Sequence, residues 1–146
     1  MRIIIDADGC PVVRQADAIC REKGLEMIIV CDTSHVFNIE GVQIITVDKG
    51  ADSADFRLVN LIKKDDIVIT QDYGLAAMCL ARNAVVINQN GMIYDNNNID
   101  SLLLARHTAK KIRNSGGRLK GSTKRTAQQD IDFVDCLRKL VEDKVE

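Results

Sequence analysis

The chain has 146 residues and a net charge of −1, and its 46% hydrophobic and 28% charged content is typical of one globular domain with a sizeable core. No apolar run approaches the ~20 residues of a membrane helix, and the opening Met1-Arg2-Ile3 indicates a strand rather than a signal peptide, so we expect no membrane partner. The five cysteines form no CxxC pair and lie mostly in apolar stretches, which indicates reduced thiols and a cytoplasmic protein.

Short β-branched segments alternate with helical segments along the chain. The predicted strands cover residues 2–6, 25–31, 42–47, 66–70 and 84–88. The predicted helices cover about 10–23, 52–64, 74–82 and 99–114, and a last helix starts at Thr126, which fits a capping box with Gln129. Residues 32–41 are assigned to a loop, 95–98 to a turn and about 113–125 to a basic, glycine-containing loop. This alternation predicts an α/β three-layer sandwich with a mainly parallel central sheet, in one domain over residues 1–146.

Aspartates follow several of the predicted strands. The carboxyl ends of parallel strands meet at one edge of a sheet, so we expect these acids to surround a common site. Clustered carboxylates repel one another, and a Mg²⁺ or Mn²⁺ ion would neutralise them. The predicted catalytic residues are Asp6, Asp8, Asp52, Asp55, Thr70 and Asp72. The predicted metal ligands among them are Asp6, Asp52, Asp55 and Asp72.

Local structural roles would also explain most of these acids. Asp52, Asp55 and Asp72 could cap helices, and Asp8 could be a turn residue before a glycine. Asp6 is harder to explain in this way, because it directly follows three isoleucines and a buried charge needs a partner. Three further acids are interpreted as solvated loop charges: Asp48, Asp65 and Asp66.

The segment 106–125 contains eight Lys/Arg residues and no acid, which predicts a polyanionic partner. A solvated helix face would explain part of this charge, but the basic residues continue through the glycine-containing loop. There is no Trp to form a base-stacking platform, so any contact with nucleic acid would be made mainly to the phosphate backbone. The predicted nucleic-acid-binding residues are Arg106, Lys110, Arg113, Arg118, Lys120, Lys124 and Arg125.

Four segments together resemble the YaiI/YqxD family of bacterial proteins. They are residues 5–12 (IDADGCPV), 50–55 (GADSAD), 66–76 (DIVITQDYGLA) and 86–91 (VINQNG). That family is similar to the PIN-like superfamily and its NYN branch, whose members are mostly metal-dependent ribonucleases. The resemblance therefore implies a PIN-like fold and a metal-dependent site.

The resemblance also assigns residues to that site. A PIN-like site has an acid after the first strand, which corresponds to Asp6 with Asp8 beside it. It has an acid at a central helix start, which corresponds to Asp52 or Asp55, and residues 49–52 are similar to the NYN form of this motif. Its last acid follows a Thr/Ser-containing strand end, which corresponds to Asp72 with Thr70.

Three functions follow from these observations. The first is a phosphodiesterase acting on RNA, in which one or two Mg²⁺ or Mn²⁺ ions activate a water molecule. The second is a haloacid-dehalogenase-like phosphatase, because residues 6–9 resemble the start of that family's motif, with Asp6 as nucleophile and Asp8 as acid/base. The third is a module that binds RNA or a protein without catalysis, since a fold alone does not imply an enzyme.

Overall fold

The computed structural model describes residues 1–49, 53–116 and 124–145. Five strands and five helices are found in these ranges. The strands are β1 (Arg2–Asp6), β2 (Glu26–Asp32), β3 (Gln43–Val47), β4 (Ile67–Ile69) and β5 (Val85–Ile87). The helices are α1 (Val13–Lys23), α2 (Ser53–Leu61), α3 (Tyr73–Ala81), α4 (Asn96–Asn114) and α5 (Ala127–Val145).

The five strands form one sheet in the order β3-β2-β1-β4-β5, and all four pairings are parallel. The chain moves from β1 outward to β3, then crosses to the other side of β1 and continues to β5. The winding therefore reverses between β1 and β4, whose adjacent residues include Ile5 and Ile69. In sheets of this kind, the crevice at such a reversal is the usual ligand site.

Helices cover both faces of the sheet, which confirms the predicted three-layer α/β sandwich. Side chains alternate along β1, so Ile3 and Ile5 face one layer and Ile4 faces the other. The first layer contains α1 and α5, with Phe133 fully buried against the sheet. The second contains α2, α3 and α4, with Leu58 among its buried residues. Both cores are almost entirely aliphatic, as the low aromatic content predicts.

Two helix starts differ from the sequence prediction. α1 begins at Val13 rather than near residue 10, because the backbone first makes a turn in which Cys10 N–H donates to the carbonyl of Ala7 at 3.1 Å. α4 begins at Asn96, so the prediction of a turn at 95–98 is wrong. Asp95 caps this helix by accepting the N–H groups of residues 97 and 98, and the Asn98 side chain completes a capping box.

The capping box predicted for the last helix is confirmed. The hydroxyl of Thr126 accepts the N–H of Gln129 at 3.3 Å, and the Gln129 side chain accepts the N–H of Thr126 at 2.9 Å. No helix in the described ranges has both the length and the apolar character that a membrane span requires.

The interpretation of Asp66 as a solvated loop charge is wrong. Its side chain is buried at the amino-terminal edge of the sheet and forms an ion pair of 2.7 Å with Arg2. It also accepts the backbone N–H of Lys63 at 2.8 Å. Asp65 and Asp66 are adjacent acids in a turn before β4, and the sequence does not indicate which of the two is buried.

Candidate functional site

An open cleft of about 760 Å³ lies at the carboxyl edge of the sheet, beside the reversal between β1 and β4. Strand ends and helix starts supply its walls, and most of its polar side chains are acids. The lining residues are Asp6, Asp8, Gly9, Asp32, Asp48, Ala54, Asp55, Gln71, Asp72, Tyr73 and Arg106. Four of the predicted catalytic acids thus share one cavity.

Asp6, Thr70 and Asp72 are joined by hydrogen bonds across the boundary between β1 and β4. Thr70 is buried directly after β4 and donates its hydroxyl to Oδ2 of Asp6 at 2.9 Å. The same Oγ1 accepts the backbone N–H of Asp72 at 3.0 Å. The Tyr94 hydroxyl donates to the carbonyl of Thr70 at 3.2 Å. Thr70 is therefore held on both sides, and its hydroxyl joins the carboxylate of Asp6 to the backbone of Asp72.

Asp6 is in a strongly unfavourable environment for a negative charge. Burial raises its pKa, the hydrogen bond from Thr70 opposes this rise, and the charges of Asp55, Asp8 and Asp72 raise the pKa further, to about 6. A bound cation would reverse this effect by favouring the ionised carboxylate. The donor set, carboxylate oxygens around one open cavity, is the set that Mg²⁺ and Mn²⁺ prefer.

Asp72 and Asp55 lie at helix N-termini and also face the cleft. Oδ1 of Asp72 accepts the N–H of Leu75 at 3.1 Å, so Asp72 caps α3, which confirms the capping role offered above as an alternative for this residue. Asp55 lies in the first turn of α2. Both carboxylates line the cleft, so a role in helix capping does not remove them from the site. Asp52 lies outside the described residues.

Asp8 is not simply a turn residue, because it contacts the end of β2. Its two carboxylate oxygens accept the backbone N–H of Asp32 at 3.2 and 3.1 Å. Its Oδ1 also lies 2.8 Å from Nδ1 of His35. Hydrogen bonds from Ser34 and the contact with His35 keep the pKa of Asp32 below its usual range.

Asp32, His35 and Asp48 were missed as site residues in the sequence analysis. Asp32 ends β2, and Asp48 follows β3 directly. The strand-end argument that selected Asp6 selects these two acids as well when it is applied to every strand. His35 has no such signal, because it lies in an irregular loop and reaches Asp8 only through the fold.

Arg106 is the predicted basic residue that the structure brings into the cleft. Its Nη1 lies 3.7 Å from Oδ1 of Asp72, and its side chain is 62% exposed. Lys110 and Arg113 follow on exposed turns of the same helix, α4. A row of positive charge thus extends along α4 from the cleft.

The remaining basic residues differ in their environments. Arg125 donates from Nε to Asp130 at 2.8 Å, from Nη1 to Asn90 at 2.6 Å and from Nη2 to the carbonyl of Gln89 at 2.7 Å. Its guanidinium therefore joins the start of α5 to the loop after β5. Lys124 is exposed. Arg118 and Lys120 lie outside the described residues.

The chain matches a family of bacterial proteins over nearly its whole length. The family model described as "Uncharacterized BCR, YaiI/YqxD family" matches residues 4–143. The UPF0178 protein of Exiguobacterium sibiricum is 49% identical over 146 residues, with both chains covered completely. The UPF0178 protein of Clostridium acetobutylicum is 42% identical over 143 residues and covers 97% of each chain. That of Ruminiclostridium cellulolyticum is 46% identical over 137 residues, 94% of this chain and 90% of the relative.

Among solved structures, Rae1 (YacP) from Bacillus subtilis is similar to this chain with a TM-score of 0.48 at 15% identity, covering 99% of each chain. The family resemblance inferred from the four sequence segments is confirmed by the family model and the bacterial relatives. The residues matched by the family model include every residue that lines the cleft.

Proposed function

This chain belongs to the YaiI/YqxD family, and we propose that its cleft is the site of a divalent-metal-dependent phosphodiesterase that acts on RNA. One observation carries the proposal. The carboxylate of Asp6 lies at the reversal of the sheet, and its neighbours Asp55, Asp8 and Asp72 all disfavour its ionisation. An environment of this kind is expected of a cation site. The PIN-like, NYN-type relationship is part of the same proposal.

The metal ligands in this proposal are Asp6, Asp55 and Asp72, with Asp52 completing the set. Mg²⁺ or Mn²⁺, when bound, would supply an activated water and neutralise charge on the phosphate. Thr70 positions the carboxylate of Asp6 and the backbone of Asp72 through its single hydroxyl. Asp6 ends β1, Asp55 lies in the first turn of α2 and Asp72 caps α3, so the core rather than a loop sets the positions of these three acids.

The role of Arg106 is to bind a phosphate group at the edge of the cleft. Its guanidinium is a bidentate donor, and it contacts Asp72 at 3.7 Å, longer than a hydrogen bond. Lys110 and Arg113 would hold the adjoining phosphates along α4. Binding of this kind depends on salt and only weakly on base sequence. Arg125 has its donors engaged within the fold, and we assign it a structural role.

The phosphatase alternative requires Asp8 to transfer protons beside a nucleophilic Asp6. Asp8 instead accepts two hydrogen bonds from the backbone of Asp32 and contacts His35, which holds its carboxylate toward β2. The geometry therefore favours the phosphodiesterase. We also propose that the protein functions in the cytoplasm, where the buried thiols of Cys20, Cys31 and Cys79 stay reduced.

The first test is calorimetric titration of Mn²⁺ into the parent and into Asp55→Asn and Asp72→Asn. Asp100→Asn, on an exposed position of α4, is the matched control. We expect both site variants to weaken Mn²⁺ binding by about 10-fold or more, since each removes a ligand, and the control to bind as the parent does. If the parent binds no Mn²⁺ at millimolar concentration, the metal site is absent, and the module without catalysis becomes the better account.

The second test is cleavage of a single-stranded RNA with Mn²⁺ present. We expect the parent to cleave the RNA and Asp72→Asn to lose this activity. We expect Arg106→Gln to bind the RNA more weakly, and the slope of its log affinity against log salt concentration to fall by about one for each phosphate contact removed. Hydrolysis of a small phosphomonoester without any cleavage of RNA would instead support the phosphatase.

A further inference from the structure

Beside the carboxylates of the proposed Mg²⁺ or Mn²⁺ site, the structure brings together an unlike set of groups. The set has three ligand atoms, which are one carboxylate oxygen of Asp8, one carboxylate oxygen of Asp32 and a ring nitrogen of His35. All three lie within 4.8 Å of one another. Nδ1 of His35 lies 2.8 Å from Oδ1 of Asp8 and 3.4 Å from Oδ1 of Asp32. Asp8 is distant in sequence from Asp32 and His35, and the three meet because the end of β1 pairs with the end of β2.

The three side chains are held in position by the surrounding backbone. Asp8 accepts the N–H of Asp32 with both oxygens, which aims its carboxylate across the strand ends. Ser34 donates both its backbone N–H, at 2.8 Å, and its hydroxyl to Oδ1 of Asp32. The imidazole of His35 stacks beside Phe37, with ring centroids 6.4 Å apart and planes inclined by 25°. Nδ1 of His35 thus lies beside both carboxylates at once.

We propose that Asp8, Asp32 and His35 form a second metal site, which takes a Zn²⁺-type transition-metal ion. The imidazole of His35 distinguishes this second site from the proposed Mg²⁺ or Mn²⁺ site, whose ligands are all oxygens. Nitrogen donors favour Zn²⁺, Co²⁺ and related ions over Mg²⁺. Ligands of tetrahedral Zn²⁺ lie about 3.3–3.6 Å apart, given bonds of about 2.0–2.2 Å. The contact of His35 with Asp32 already has this spacing, and that with Asp8 has to open by about half an ångström.

The position of this site suggests what the ion contacts. Asp8 and Asp32 line the same cleft as Asp6 and Asp72. Three protein ligands leave a fourth position open on a tetrahedral ion, which is the arrangement of catalytic rather than structural zinc sites. The open position would face the cleft and bind a phosphate oxygen or a water molecule. The site does not use Asp6, Asp55 or Asp72, so it stands independently of the proposed function.

The test is calorimetric titration of Zn²⁺ in the presence of Mg²⁺ at a concentration on the order of 10 mM. The Mg²⁺ is added to occupy the oxygen-only site formed by Asp6, Asp55 and Asp72, because Mg²⁺ does not compete for an imidazole ligand. The variants are His35→Ala and Asp32→Asn. The controls are His107→Ala, which removes the other histidine of the chain, and Asp72→Asn, which removes a ligand of the proposed Mg²⁺ or Mn²⁺ site. His35 is half-exposed, so its replacement leaves the core intact.

We expect the two site variants to weaken Zn²⁺ binding at least about 10-fold and both controls to bind as the parent does. Co²⁺ gives a structural readout, because coordination through Nδ1 leaves an exchangeable Nε2–H proton near the ion. We expect one strongly shifted imidazole N–H signal in the proton spectrum, present in the parent and His107→Ala and absent in His35→Ala.

Two outcomes would overturn the proposal. In one, Zn²⁺ binding survives in His35→Ala with its affinity unchanged. In the other, the parent binds no Zn²⁺, so that His35 serves only as a hydrogen-bonding partner of the two carboxylates. Loss of Mn²⁺ binding in Asp72→Asn with no effect of His35→Ala on Zn²⁺ would support the proposed function and reject this site. The reverse pattern would support this site and reject the proposed function.

Discussion

Two aspartates at opposite ends of the paired strands β1 and β4 differ in how their charge is balanced. Asp66 directly precedes β4 and is paired with Arg2, the first residue of β1. Asp6 is the last residue of β1 and accepts a hydrogen bond from Thr70, directly after β4. Both are removed from solvent to a large extent, yet only Asp66 has a basic partner in an ion pair among the described residues.

The pKa values of the two groups move in opposite directions. Burial raises the pKa of Asp66, but hydrogen bonds from Arg2 and Lys63 and the charge of Arg2 outweigh it, so the pKa lies below its usual value. Burial and neighbouring acids raise the pKa of Asp6 to about 6. A buried acid with its counter-charge in the same chain stabilises the fold. A buried acid among other acids is held there by the fold at a cost in stability, which a bound cation would offset.

The largest effect is expected for Asp66→Asn. Breaking a buried pair leaves the Arg2 guanidinium uncompensated, so the free energy of unfolding should fall by about 3 kcal/mol at pH 7. Because the pKa of Asp66 is lowered by folding, its contribution is present above the unfolded pKa of about 4 and is lost as the pH falls through the folded value. Urea denaturation at pH 7 and pH 3 measures both effects. A loss that is the same at both pH values would contradict the assignment.

In the absence of divalent metal, we expect Asp6→Asn to raise the free energy of unfolding, whereas Asp66→Asn lowers it. The pKa of Asp6 is raised by folding, so its ionised form destabilises the fold above pH 6, and the variant should be more stable by about 1–2 kcal/mol at pH 8, allowing for partial exposure. The difference should develop between pH 4 and pH 6 and vanish below pH 4. Thermal unfolding with a chelator present measures it. Added Mn²⁺ should stabilise the parent and leave the variant unchanged.

A smaller loss is expected for Thr70→Val, which keeps the shape of the side chain and removes its hydroxyl. The N–H of Asp72 loses an acceptor, and the free energy of unfolding should fall by about 1 kcal/mol. The pKa of Asp6 should rise further, because the Thr70 hydrogen bond lowers it. Carboxyl ¹³C shifts followed against pH measure that change. Thr70→Ser retains the hydroxyl and should behave as the parent does; a pKa that does not move in Thr70→Val would show that this bond is absent.

The smallest change in stability is expected for Gly74→Ala. A Cβ at this position would lie 3.3 Å from Oδ1 of Asp72 and 4.0 Å from Nη1 of Arg106. The free energy of unfolding should change by less than about 0.5 kcal/mol, since position 74 lies near a helix start. Mn²⁺ affinity should nevertheless fall, because the carboxylate of Asp72 has to move. Equal Mn²⁺ affinities in calorimetry would indicate that Asp72 binds the ion through Oδ2 alone or not at all.

The layers and strands of this protein could be predicted from its sequence, because they follow from short-range patterns. Continuous runs of Ile and Val around residues 3–5 and 67–69 are typical of strands buried on both faces, and their alternation with helical segments requires a parallel sheet. The acids at the ends of those runs were found by the same rule. The start of α4 was missed because Asp95 caps that helix through asparagines that are also typical of turns.

The sequence by itself thus determined the strand ends at which acids lie, since that depends only on which residues follow a buried run. The tertiary structure decided what surrounds each acid. Nothing near Asp66 in sequence indicates that Arg2 neutralises it, and nothing near Asp8 indicates that it contacts His35. These pairs form across strands that are 24 or more residues apart, and the charge of a buried group is set by such neighbours rather than by its position along the chain.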